Sequence, residues 1–314
     1  MPAKTAPVIG LTEQIKNNLV AKIKDNVSQL TLDSTIHKVS LEMPKLNLVR
    51  WLKNQEESTQ FYYEDHTNKS QLACIGKLKE MKVNSLENSL LSSVGKTIDT
   101  QEGITYIASI TCLDNNKEDA VWGKETSLFY IPFLQIDQSE KNTILNCYFE
   151  LSSNKEQIIQ NLFDKLQSIT FSDTLTHFSD NICIIKSEST CPNNEEWRQK
   201  VDTVKECIKN KTVEKVVLSR RVDITCSKKV DVYRGLESLR SHRTKGVTFL
   251  RKINQKTTFI GSTPEILFSR ERNKIKSMAL AGTSKKESES TDKLLKDPKE
   301  VHEHGFVKNG LNHS

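Results

Sequence analysis

The sequence predicts an α+β fold whose strands run antiparallel. Short runs rich in β-branched and aromatic residues recur between residues 46 and 151, and clusters of Asn, Asp, Gly or Lys bound them. These runs are not separated by helical patterns of about 10–15 residues, so the βαβ units of a parallel sheet are not indicated. Amphipathic helical patterns flank this region and supply the helical part of the fold.

The first element is a helix over residues 11–30, because apolar side chains recur there at every fourth position. These side chains are Ile15, Leu19, Ile23 and Val27. The predicted strands that follow are 61–63, 72–76, 105–110, 129–133 and 144–151. A second helix is predicted over 158–169, again from apolar residues at helical spacing.

A polar stretch over 187–194 resembles a boundary, and a helix follows it. Asn194 is its predicted N-cap, because two glutamates follow and suit the positive end of a helix. The apolar stripe of this helix is Trp197, Val201, Val204 and Ile208. The later elements are strands 214–219 and 222–224, helix 232–240, a hairpin of 247–250 with 258–261, strand 274–280 and a charged helix over 291–307.

Composition excludes several classes of protein. The chain has 314 residues and is 36% hydrophobic, enough for one large domain or two ordinary ones. Its longest apolar runs fall far below the roughly 20 residues of a membrane-spanning helix. No secretory signal pattern is present, so a cytoplasmic location without membrane contact is expected.

Charge and cysteine usage predict which partners and which cellular compartment suit the chain. The net charge is +6, but basic residues are interleaved with acids and no nucleic-acid recognition motif is present, so no nucleic-acid partner is expected. The seven cysteines form no C-x-x-C pair, which predicts reduced, mostly buried thiols in a cytosol. No feature of the sequence assigns an oligomeric state.

Three segments could carry chemistry. Lys215 opens an apolar strand: it is either an ordinary strand-edge lysine or a partly desolvated amine whose pKa falls, so that it can act as a base. Glu265 ends a Gly-Ser-Thr-Pro turn and is either solvated or held at a strand end. Residues 279–283 (ALAGT) form either a plain turn or a cradle in which backbone N–H groups bind a carboxylate.

A fourth segment is His302-Glu303-His304 within a helical pattern. The two histidines are two positions apart and therefore face different sides of a helix, which disfavours a shared zinc ion. Glu303 suits a harder cation, because Mg²⁺ binds through one or two carboxylates together with substrate oxygens.

Taken together, four segments resemble the chorismate-utilising enzymes. In order, they are 215–220 (KVVLSR), 259–265 (FIGSTPE), 279–283 (ALAGT) and Lys299-Glu300 with Glu303-His304. The resemblance covers residues 192–307. Upstream, Trp51-Leu52, Gln55 and 60–63 are similar, less specifically, to the menaquinone-type isochorismate synthases.

The resemblance implies antiparallel sheets packed as a sandwich with helices outside, and it implies roles for residues. Lys215 would activate water for attack at C2 of chorismate, and Glu265 would protonate the departing C4 hydroxyl. Gly282 and Thr283, with the neighbouring Ala281, would bind a substrate carboxylate. Glu303 would bind Mg²⁺, and His304 would lie near the leaving group.

Two positions indicate which reaction the resemblance favours. Anthranilate-type enzymes carry Gln where Lys215 stands, and aminodeoxychorismate synthases commonly carry Lys where Ala281 stands. Both therefore point to water as nucleophile, hence to isochorismate synthase, with salicylate synthase, an anthranilate synthase-like enzyme or a non-catalytic remnant as alternatives.

The likeness ends at residue 307, whereas family members continue through a second Mg²⁺-binding Glu. We therefore expect a weak or inactive fragment with the carboxyl-terminal part missing. Its predicted parts are the amino-terminal half of the sandwich (1–190), an incomplete chorismate-binding core segment (191–307) and a non-family tail (308–314).

Overall fold

A computed structural model of the protein describes residues 8–31, 35–83, 103–109, 127–151, 154–174, 183–242, 245–271, 273–283 and 294–312. Contacts divide the chain into two compact units: the first is Met1–Phe178 with Val232–Pro264, and the second is Ser179–Asp231 with Glu265–Ser314. Within the described ranges no helix combines the length and apolar character needed to cross a membrane. The sequence-based boundaries at residues 190 and 307 remain predictions.

Six helices are described: α1 (Val8–Gln29), α2 (Leu48–Lys53), α3 (Lys155–Gln167), α4 (Asn194–Lys209), α5 (Val232–Ser241) and α6 (Pro298–Asn312). Strands of the first unit are β1 (Ile36–Glu42), β2 (Gln60–Asp65), β3 (Ser70–Ile75), β4 (Lys79–Val83), β5 (Ile107–Ser109), β6 (Ser127–Ile131), β7 (Leu134–Gln138), β8 (Thr143–Glu150), β11 (Val247–Lys252) and β12 (Thr258–Thr263). Strands of the second unit are β9 (Ile185–Cys191), β10 (Arg221–Cys226), β13 (Ser269–Glu271) and β14 (Lys274–Lys276).

The first unit is built on a seven-stranded sheet of order β1-β8-β7-β3-β2-β11-β12, in which every neighbouring pair is antiparallel. A three-stranded antiparallel sheet, β4-β6-β5, accompanies it. The predicted α+β class with antiparallel strands is confirmed. The predicted hairpin is also present, since Val247 of β11 pairs with Thr263 of β12.

Alternate residues of the large sheet point to two different layers. On β3, Ala73 and Ile75 belong to the main core shared with α1, α2, α3 and α5, whereas Cys74 packs with Ile107 and Tyr130 of the smaller sheet. The sheet therefore lies between a layer of helices and a second sheet, as the sandwich expectation requires. The predicted stripe of α1 contributes to the main core, with Leu19, Ile23 and Val27 almost fully buried.

Two buried glutamines, Gln55 and Gln60, lie in the upstream segment that resembles the menaquinone-type enzymes. Gln60 is fully buried, and its amide donates to the Leu52 carbonyl at 3.0 Å while its oxygen accepts from the Tyr233 hydroxyl at 2.6 Å. Gln55 donates to the Trp51 carbonyl at 2.8 Å. Buried amides need such partners because an unmade hydrogen bond costs free energy. These residues thus join α2 to β2 and α5, and their role here is structural.

The second unit contains α4, α6 and two antiparallel pairs, β9 with β10 and β13 with β14. The N-cap of α4 is Asn193 rather than the predicted Asn194: Asn193 accepts from the backbone N–H groups of Glu195 and Glu196, and Glu196 completes a capping box. The predicted apolar stripe of α4 is not buried, and Ile208 is 43% exposed. The spacing of apolar residues predicts which helix face is apolar, but it does not predict whether another element packs against that face.

Candidate active site

Lys215 lies in the extended segment 215–220, which pairs with no other described strand. The predicted strand 214–219 is therefore wrong, and the strand begins at Arg221, which pairs with Cys191. Arg220 anchors the end of the segment, because its guanidinium donates to Thr190 Oγ1 at 2.8 Å and to Asn194 Oδ1 at 2.7 Å. Val217, which the strand prediction placed in a sheet, is 82% exposed.

Helix α6 carries the acidic residues of the site. Asp297 caps it by accepting from the backbone N–H groups of Lys299 at 2.8 Å and Glu300 at 3.3 Å, and Pro298 stands at the first helical position. Residues 294–296 of the predicted helix 291–307 are also helical, and residues 284–293 lie outside the described part of the chain. Helix α6 itself begins at Pro298. It also continues to Asn312, into the segment predicted to be a non-family tail.

Gly282 and Glu300 are in close contact. Gly282 has φ +87°, and a Cβ atom at this position would lie 2.7 Å from Glu300 Oε2. Any other residue would therefore meet both backbone strain and a carboxylate oxygen. The same Oε2 is buried without a hydrogen-bond partner, although Lys299 Nζ lies 2.5 Å from Glu300 Oε1. This orphaned oxygen makes the Gly282–Glu300 contact a place where a cation could bind.

Lys215 and Glu303 are also brought together across the second unit. Lys215 Nζ lies 3.9 Å from Glu303 Oε1, and both side chains are about one-third exposed, at 31% and 38%. Lys299 Nζ approaches the other oxygen of Glu303 at 3.8 Å. His304 Nε2 lies 3.3 Å from the Ala279 carbonyl oxygen, which ties α6 to the predicted carboxylate cradle. Two lysines therefore lie against the acids of α6.

The remaining predicted site residues lie nearby in sequence but are more open. Glu265 is exposed two positions after β12, and Thr283 is exposed at the end of the described segment 273–283. Ala281 is half-buried. The strand predicted over 274–280 is regular only over Lys274–Lys276, so the cradle approaches α6 as irregular chain.

Glu300 belongs to a quoted motif, but the sequence predicted no role for it. It stands three positions before Glu303, and residues three apart lie on the same helix face. This spacing could have identified Glu300 as a second acid of the site. What distinguishes Glu300 in the structure is its contact with Gly282, which lies in a different segment.

The acids of α6 are also candidate metal ligands. In the described part of the chain, no group of three or more His, Cys, Asp or Glu side chains is arranged to hold a metal ion. Glu300 and Glu303 nevertheless supply hard oxygen ligands, and one of these oxygens is buried without a partner. This donor set fits Mg²⁺, which takes few protein carboxylates and completes its shell with water or substrate oxygens.

A cavity of about 640 Å³ also lies in the second unit, along α4 and beside Leu218. It is lined by residues such as Pro192, Gln199, Thr203 and Val204. None of the predicted site residues lines this cavity, so it is separate from the cluster on α6.

A model of the chorismate-binding enzymes matches residues 21–314. The chain belongs to this family. Isochorismate synthase MenF of Haemophilus influenzae is 23% identical over 303 residues, covering 94% of this chain and 63% of that protein. The vibriobactin-specific isochorismate synthase of Vibrio cholerae is 29% identical over 122 residues, covering 37% of this chain and 31% of that protein.

The fold of this chorismate-binding family member also matches a solved structure. MenF, the menaquinone-specific isochorismate synthase of Escherichia coli, superposes with a TM-score of 0.73 at 14% identity, covering 93% of this chain and 67% of that one. The predicted family fold is therefore confirmed. The chain spans 63% of the length of the Haemophilus relative and so corresponds to only part of it.

Proposed function

We propose that this chain carries the catalytic groups of an isochorismate synthase, which converts chorismate to isochorismate. Water adds at C2, the ring double bonds shift and the C4 hydroxyl leaves as water, so the net change is an isomerisation. The proposal is supported by family membership and by the names of the relatives, which are isochorismate synthases.

The observation that carries the proposal is the cluster around α6. Lys215 lies 3.9 Å from Glu303, and Gly282 lies against Glu300, so a candidate base, two acids and a carboxylate cradle belong to one compact unit. Positive and negative groups close together suit an anionic substrate and a divalent cation. Gly282, with its positive φ, lies beside a carboxylate whose Oε2 is buried, on the helix that also carries Glu303.

Each residue has a proposed task. Lys215 is the base that takes a proton from the attacking water, and Glu265 is the acid that protonates the departing hydroxyl. A base and an acid are both needed because water is a poor nucleophile and hydroxide a poor leaving group. Ala281, Gly282 and Thr283 bind a substrate carboxylate, and His304 orients the cradle through the Ala279 carbonyl.

Glu303, with Glu300, is proposed to hold Mg²⁺. When bound, the ion would neutralise a substrate carboxylate and orient it. In the structure Lys215 and Lys299 occupy the neighbourhood of these carboxylates. The Glu303 carboxylate is therefore shared between the candidate base and the proposed cation site.

The test is turnover of chorismate by the purified chain with millimolar Mg²⁺, with the products separated by chromatography. Isochorismate formation that requires Lys215 and Glu265 supports the proposal. Salicylate with pyruvate, or anthranilate when ammonium is added, would assign one of the alternative reactions. Absence of any product from a folded chain that still binds chorismate would mark it as a non-catalytic remnant. The cytoplasmic location remains a prediction.

A further inference from the structure

Two cysteines outside the candidate active site lie next to each other in the second unit. Cys226 ends β10 and pairs with Ile185 of β9, where the register shifts by one residue. The ladder continues past the bulge, since the Ser227 N–H donates to the Ile184 carbonyl at 2.8 Å. Cys183 precedes Ile184, and its thiol lies 3.5 Å from the Lys228 carbonyl oxygen. The two strand ends thus converge on both thiols.

A hydrogen bond between the Cys183 and Cys226 thiols, together with backbone hydrogen bonds at Lys228 and Ser227, lowers the pKa of Cys183 below its ordinary value. The same bond raises the pKa of Cys226. A thiolate is the reactive form of cysteine, so the pair combines an attacking sulfur with a neighbouring thiol.

Exposure separates this pair from the two buried cysteines. Cys74 and Cys147 are buried, and burial raises the pKa of Cys147 to about 12, which keeps it inert. Cys183 and Cys226 are half-buried, so a small oxidant can reach them. The expectation of mostly buried thiols is therefore wrong for the described cysteines: only two of the six are buried. Cys112 lies outside the described residues.

We propose that Cys183 and Cys226 form a peroxide-sensitive thiol pair that closes to a disulfide. The Cys183 sulfur attacks one oxygen of hydrogen peroxide, the O–O bond breaks, and a sulfenic acid and one water result. The Cys226 sulfur then attacks the sulfenic sulfur, the S–O bond breaks, the S–S bond forms and a second water leaves. Two thiols lose two electrons, and one peroxide is reduced to two waters.

The bridge would link the two ends of the segment that contains α4 and Lys215. Because both anchor points flank this segment, oxidation would restrict its motion without touching any residue of the proposed active site. This inference does not depend on the proposed function, since it rests only on the β9–β10 pair and its thiols.

The test uses the whole chain, reduced, diluted and treated with hydrogen peroxide. Non-reducing digestion and mass spectrometry should find the Cys183–Cys226 cross-link at least about tenfold more abundant than any cross-link involving the exposed Cys191. Cys191→Ser, at the other end of β9, is the matched control and should retain the cross-link. Failure to detect it, or equal scrambling among cysteines, would overturn the proposal.

The order of attack is tested in single variants with dimedone, which captures sulfenic acids. Cys226→Ser should accumulate label on Cys183, because the second thiol is missing. Cys183→Ser should leave Cys226 largely unlabelled. Strong labelling of Cys226 in Cys183→Ser, without labelling of Cys183 in Cys226→Ser, would contradict the assigned roles. Circular dichroism would check that both variants are folded.

Discussion

At the scale of single residues, the ion pair between Lys215 and Glu303 places the proposed base beside a proposed Mg²⁺ ligand. The amine lies 3.9 Å from the carboxylate and is about one-third exposed, so water and substrate can both reach it. Lys299 contacts the same carboxylate but is 76% exposed. The two lysines therefore form a natural pair for comparison, one proposed as the base and the other as a solvated neighbour.

Lys215→Gln should lower kcat for isochorismate formation by about 10²–10⁴-fold while leaving KM nearly unchanged, because a general base acts in the transition state. Steady-state kinetics with chorismate measure both constants. Lys299→Gln is the control and should retain most of kcat. Equal losses in both variants would show that the positive charge around Glu303, rather than a base at Lys215, is what matters.

Gly282→Ala should destabilise the second unit by about 1–3 kcal/mol, because its φ of +87° is strained for alanine and its Cβ would meet Glu300 Oε2. Gly305→Ala, within α6 and with open space around a new Cβ, should instead stabilise by about 0.5–1 kcal/mol. Urea unfolding of the two variants measures the opposite signs. Destabilisation of similar size by both variants would show that the loss does not depend on the contact between Gly282 and Glu300.

At the scale of elements, the hydrogen bonds of the capping box at its first turn stabilise α4. Asn193→Ala should cost about 0.5–2 kcal/mol of unfolding free energy, since its side chain accepts from two backbone N–H groups in a capping box. Asn194→Ala should cost less, because Asn194 only accepts an exposed hydrogen bond from Arg220. Far-ultraviolet circular dichroism during urea titration compares them. A larger loss for Asn194→Ala would favour the cap expected from sequence.

The join between β2 and α5 should give the first unit an acid-sensitive contact. Burial opposes ionisation of Glu64, but the Arg240 guanidinium, whose Nε lies 2.5 Å away, and the Tyr62 hydroxyl hold the pKa of Glu64 below its ordinary value of 4.5. A carboxyl with a lowered folded pKa contributes stability above its unfolded pKa, and this contribution is lost as pH falls through the folded pKa.

Accordingly, the stability gap between the wild type and Glu64→Gln should be largest above about pH 5 and shrink as pH falls below 4.5. Urea unfolding across this range measures the gap. Glu140→Gln is the control, because the Glu140–Lys69 pair lies on the surface, with side chains 68% and 67% exposed, and should contribute little at any pH. A gap that stays constant with pH would show that Glu64 does not ionise within the network.

At the scale of the whole molecule, exposed apolar side chains are concentrated in the second unit. Those more than half exposed include Ile184, Ile185, Val217, Leu267, Phe268 and Ile275. Clusters of this kind favour binding of apolar partners or self-association. The main core, by contrast, lies in the first unit, where helices and a second sheet cover the large sheet on both faces.

Val217→Lys and Leu267→Lys, each at a side chain that is 82% exposed, should therefore reduce self-association and binding of an apolar fluorescent dye. Light scattering across a concentration series measures the first effect. Phe163→Lys on α3, at a side chain that is 38% exposed, is the control in the first unit. An equal decrease in all three variants would attribute the effect to net charge alone.

Much of the fold follows from local pattern. The spacing of Ile15, Leu19 and Ile23 predicts α1 and its buried face, and the β-type runs predict most strands of the large sheet. All seven site residues predicted from the motifs lie in the second unit: Lys215, Glu265, Ala281, Gly282, Thr283, Glu303 and His304. Their roles remain predictions.

What the sequence alone determined is the family, the class of fold and the identity of the candidate residues, because these reside in residue types and short spacings. Tertiary structure alone decided that 215–220 pairs with no described strand, that Glu300 meets Gly282 and that Cys183 meets Cys226. The physical reason is the distance along the chain between interacting residues. A helix closes its hydrogen bonds within four residues, whereas a strand, an ion pair and a thiol pair each need a partner that only the folded chain brings near.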